Sequence, residues 1–93
     1  MKTMSKIIFT GSTNMGSCQC GNTSVECWIE NDRLFCTTSG SEKWQQYKGP
    51  ASNCQVPYGM GSLLRWVASK IKDGTPLEDK DLRGGQGSVL KAC

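Results

Sequence analysis

Six cysteines in a chain of 93 residues, with no histidine anywhere, constrain this sequence more than any other feature. They stand at Cys18, Cys20, Cys27, Cys36, Cys54 and Cys93. A domain this short buries only about two-thirds of the surface its unfolded chain exposes, so its apolar core is thin. An even set of cysteines in such a chain reads as a disulfide framework from an oxidising compartment. Each bridge would contribute about 2–4 kcal/mol, comparable to the stability of a whole small domain. Zinc fits less well, because structural sites use cysteine pairs two to four residues apart, often with histidine. The one close pair here, Cys18 and Cys20, is separated by Gln19 alone. A direct bridge across one residue is strained, so each of the two is expected to bond elsewhere. No metal and no cofactor is expected.

Composition excludes several classes of function. Hydrophobic residues are 37% and charged residues 20%, neither a membrane protein nor a disordered one. No run approaches the roughly 20 apolar residues of a membrane-spanning helix. The net charge of +3 is mild, with none of the basic striping of a nucleic-acid module, so no nucleic-acid partner is expected. Without histidine the commonest general base is missing. Glu26 and Glu30 could suggest a carboxylate pair, but two residues on one strand make no cleft. Gly84-Gly85-Gln86-Gly87 lacks the lysine and following helix of a phosphate loop. No catalytic residue is assigned, and the chain is read as a non-enzyme.

The residues from 23 to 38 form the clearest local pattern. Two β-rich runs flank Asn31-Asp32, which tolerates the positive φ of a two-residue hairpin turn. That register sets Ile29 opposite Leu34, Trp28 opposite Phe35 and Cys27 opposite Cys36. A Cys27–Cys36 bridge is feasible there, at a non-hydrogen-bonded pair with Cα atoms about 4.5 Å apart. Alternation puts Cys27, Ile29, Leu34 and Cys36 on one face and Trp28 with Phe35 on the other.

Ser39-Gly40-Ser41-Glu42 reads as a capping box opening a helix over about 40–48, through Trp44 and Tyr47 and stopped by Gly49-Pro50. Ser52 to Pro57 reads as an edge strand carrying Cys54. Met60, Leu63, Leu64, Val67, Ala68 and Ile71 lie at helical spacing, predicting a helix over about 62–73. Ser62 is its expected N-cap and Gly74 its C-terminal stop. Thr75-Pro76-Leu77-Glu78 predicts a second capping box, and Ser88 to Ala92 a last strand. Lys6 to Thr10 is a strand candidate, followed by a Gly/Ser/Thr/Asn loop from Gly11 to Ser17. The whole of 1–93 reads as a single domain, with 1–17 a flexible or edge-strand N-terminal segment. The expected fold is a small α+β sandwich, an antiparallel sheet packed on two main helices and stapled by disulfides.

A bridged region opening with Cys18-Gln19-Cys20, later cysteines at Cys36 and Cys54, an amphipathic helix and a final Cys93 together resemble a known family. The resemblance is to the killer toxins encoded by viruses of smut fungi and the small secreted fungal effectors that share their fold. It implies a compact α/β sandwich with two main helices, secretion, and action on competitor cells or host tissue. No functional residue carries over from it.

The helical stripe leaves Trp66 off the buried face, beside Arg65, Ser69 and Lys70. An exposed tryptophan among cations is a typical interface anchor, so these four residues are the candidate partner-binding set. The expected partner is a protein or cell-surface target, an acidic one given those cations, and one aromatic is too little for stable membrane insertion. The expected role is a secreted, disulfide-stabilised toxin-like or effector-like ligand whose leader was removed upstream of Met1. The alternative is an inhibitor of a host enzyme, working in the host cytoplasm with reduced cysteines.

Overall fold

The computed structural model describes residues 6–13, 23–39, 46–56 and 59–93. Five strands form one antiparallel sheet: β1 (Ile7–Thr13), β2 (Thr23–Glu30), β3 (Arg33–Ser39), β4 (Tyr47–Pro50) and β5 (Val89–Ala92). Their spatial order is β4-β3-β2-β1-β5. The first four strands follow one another across the sheet. The chain then crosses one face as helix α1 (Met60–Asp73) and returns β5 to the free side of β1.

The hairpin of β2 and β3 has the register its turn dictates, from Glu30 opposite Arg33 to Ser24 opposite Ser39. Asn31 and Asp32 both take positive φ, 51° and 63°, the geometry of a two-residue turn whose twist matches its strands. Period-two alternation then buries Val25, Cys27, Leu34, Cys36 and Thr38 on one face. Phe9 and Leu90 extend that face across β1 and β5. Met60, Leu63, Leu64, Val67 and Ala68 of α1 close over it, joined by Ala51 and Cys54. Gly11 lies opposite both Val25 and Leu90, and a Cβ there would sit 2.3 Å from the Val89 carbonyl oxygen. β5 can dock closely only because that position lacks a side chain.

Several expectations are corrected. The predicted second main helix over 40–48 is not formed where the structure describes it: Tyr47 and Lys48 pair with Thr38 and Thr37 as strand β4. Residues 40–45, including Trp44, lie outside the described residues. The open edge of β3 supplies cross-strand hydrogen bonds that outweigh a weak local capping signal. α1 is therefore the one α-helix among the described residues. It begins at Met60 behind the N-cap Gly59, which is left-handed at φ 83°, so Ser62 falls inside the helix. Its end follows the glycine stop: Gly74 is left-handed, and the Thr75 and Gly74 amides donate to the Lys70 and Ile71 carbonyls.

The segment read as an edge strand from Ser52 is a 3₁₀ turn, Ala51–Asn53, leading into extended Cys54. The second capping box sits three residues late. Glu78 caps a 3₁₀ turn, Asp79–Leu82, with Asp81 inside it as the reciprocal partner.

The disulfide staple is also corrected. Cys27, Cys36, Cys54 and Cys93 carry free thiols, and Cys18 and Cys20 lie outside the described residues. Cys36 faces Cys27 across the hairpin, and both thiols are free. Cys27, Cys36 and Cys54 are wholly buried among aliphatic side chains, where a thiol serves as a small hydrophobe.

Candidate functional site

The outer face of α1 carries the sequence-selected residues. A 3.6-residue period that turns Leu63, Leu64 and Val67 inward turns Arg65, Trp66 and Ser69 outward. Trp66 is 50% exposed, one of two large hydrophobic side chains so placed among the described residues. Its indole N–H donates to Asp81 Oδ1 at 3.1 Å. The Lys70 ammonium lies 5.0 Å from the Trp66 ring centroid and 3.8 Å from the same carboxylate oxygen. Ser69 donates its hydroxyl to the Trp66 carbonyl at 2.9 Å.

Asp81 is the residue that sequence reasoning missed. It is buried, and its second oxygen accepts the Glu78 backbone N–H at 3.0 Å. That amide, the Trp66 indole N–H and the nearby Lys70 ammonium hold its carboxyl below the ordinary aspartate range. One carboxylate thus ties the turn after α1 to the tryptophan on α1. The signal available beforehand was the acid three residues after Glu78, a capping box one turn beyond the one chosen.

Arg65 plays a different part from the one expected. Its guanidinium donates to the Cys54 carbonyl and, at 3.3 Å, to Ser62 Oγ. It rims an open hollow of about 600 Å³ lined by Ser52, Asn53, Gln55 and Ser62 at the start of α1. Among the described residues, its lining presents hydroxyl, amide and guanidinium groups. Neighbouring Cys36, the Val56 amide and Arg65 draw the Cys54 thiol pKa down, while the proximity of Cys54 and burial push Cys36 up. Burial pushes Cys27 up to about 12. Cys54 has no solvent access, so it is no exposed nucleophile.

Among the described residues no group of three or more Cys, Asp or Glu side chains is arranged to hold a metal ion. No helix among them is long and apolar enough to cross a membrane. Compared with known proteins, the chain matches no family model, no curated protein and no solved structure.

Proposed function

We propose that this protein acts by binding a partner through the outer face of α1, as a toxin-like or effector-like ligand and not as a catalyst. The observation that carries the reading is Trp66: half exposed, yet held in one orientation by Asp81 and Lys70. An aromatic fixed before contact loses little conformational entropy on binding, which is what an interface anchor requires. Lys70 beside the ring favours a partner surface with an apolar socket and an acidic rim. Secretion and action on a cell surface belong to this reading.

The second reading, an inhibitor working in a host cytoplasm, draws support from the free thiols of Cys27, Cys36 and Cys54, a state a reducing compartment maintains. Both readings use the same surface.

Fluorescently labelled protein added to intact candidate target cells tests the first. Saturable binding, competed by unlabelled protein and lost in Trp66→Ala while Ser52→Ala retains it, is the expected result. Equal binding by Trp66→Ala would remove α1 as the contact surface.

A further inference from the structure

We propose that the face of the sheet opposite α1 is a carbohydrate-binding surface that takes a neutral oligosaccharide laid across the strands. Period-two alternation sends one residue in two away from the helix, and the antiparallel register lines these residues up in cross-strand rows. In the first row Ile7 faces Trp28, Trp28 faces Phe35, and Phe35 faces Pro50. All four are partly exposed. At about 4.8 Å between strands this apolar row runs about 14 Å across the sheet. The Trp28 and Phe35 rings are near parallel, 23° apart in plane, with centroids 6.3 Å apart. Trp28 donates its indole N–H to Glu30 Oε1 at 3.0 Å, which fixes the ring.

The adjoining rows are polar. Lys91, Thr10, Glu26, Thr37 and Lys48 face one another in turn across all five strands. Beyond them Ser12 faces Ser24 and Ser24 faces Ser39, the last two hydroxyls 2.7 Å apart. A depression of about 410 Å³ lies over Thr10, Ser24, Glu26, Thr37 and Ser39, one row from the aromatic pair. α1, the one α-helix among the described residues, buries its apolar side chains against the opposite face.

The pattern specifies the ligand by its chemistry. A sugar ring presents an apolar C–H face and a rim of hydroxyls that both donate and accept. The aromatic row suits the first. Serine and threonine hydroxyls, which also donate and accept, suit the second, with Glu26 as acceptor and the terminal lysines as donors. Arg33, Lys48 and Lys91 nearly balance Glu26 and Glu30, so the face makes no demand for a charged ligand. A phosphate backbone would meet Glu26 at the centre of its path, which disfavours single-stranded nucleic acid.

The test titrates the protein with chitohexaose, cellohexaose and laminarihexaose, followed by amide chemical-shift changes, with hexathymidylate and a heparin hexasaccharide as charged comparators. The expected result is saturable shifts confined to the sheet strands, with α1 unmoved, for at least one neutral hexasaccharide. Trp28→Ala should weaken binding about tenfold, the scale of one lost stacking contact, while Trp66→Ala leaves it unchanged. Glu26→Ala, at an exposed position, should also weaken it and serves if Trp28→Ala fails to fold. The proposal is overturned by no shift with any neutral hexasaccharide, by unchanged binding in both variants, or by tighter binding of a charged comparator. Because the tested residues lie on the face away from Trp66, its failure leaves the α1 reading untouched.

Discussion

The Trp66 indole nitrogen and the Asp81 carboxylate, fifteen residues apart in sequence, meet at 3.1 Å and join the outer face of α1 to the turn that follows it. Asp81 also accepts the Glu78 amide, so one side chain caps the turn and orients the tryptophan. Asp81→Ala should lower the thermal midpoint and speed solvent exchange of the Trp66 indole proton. Asp81→Asn, which keeps a carbonyl oxygen, should preserve most of that protection. Equal exchange in all three proteins would show that Trp66 needs no acceptor.

The same carboxylate sets an acid limit. Hydrogen bonds from Glu78 and Trp66, with Lys70 nearby, lower the folded-state pKa of Asp81 below its unfolded value. A depressed carboxyl stabilises the fold fully above the unfolded value and loses that contribution as pH falls through the folded one. Thermal midpoints measured downward from pH 5 should therefore drop more steeply in wild type than in Asp81→Asn. The extra slope should lie below pH 3.8, the ordinary aspartate value. Parallel profiles would contradict this assignment.

Two glycines give a matched pair of packing tests. A Cβ at Gly11 would meet the Val89 carbonyl oxygen at 2.3 Å and Leu90 Cδ2 at 2.6 Å, whereas one at Gly85 would meet nothing within 4 Å. Gly11→Ala should cost about 1–3 kcal/mol in urea unfolding, the range for overpacking. Gly85→Ala should stay within about 0.5 kcal/mol of wild type.

Thiol accessibility differs sharply along the chain. Cys93 is exposed, while Cys27, Cys36 and Cys54 are wholly buried. Brief iodoacetamide treatment of native protein, followed by peptide mass mapping, should label Cys93 well before those three. Prior denaturation should remove the difference. Comparable labelling of Cys54 in native protein would mean that the layer over it opens readily.

Local signals in the sequence carried the elements whose physics is local. The Asn31-Asp32 turn determines the β2–β3 register because both residues accept positive φ. The stripe from Met60 to Ile71 marks the buried face of α1, and Gly74 ends that helix because it takes the left-handed conformation without steric cost. The outward position of Trp66 follows from the same stripe.

What depended on partners distant in sequence was decided only by the tertiary structure. Tyr47–Pro50 became a strand because β3 offered an open edge, and Ile7–Thr13 continued through Gly11-Ser12-Thr13 because β2 and β5 pair with it on both sides. Cys54 joined Cys27 and Cys36 in one core because α1 and the Ala51–Asn53 turn pack together against β3. Cysteine count records how many bridges are possible. Only the packed core determines which sulfurs approach, because a hydrogen bond or a bridge requires positions that no spacing along the chain specifies. Asp81 follows the same logic: its acid was visible in the sequence, but its hold on Trp66 exists only once the turn after α1 has folded back against the helix.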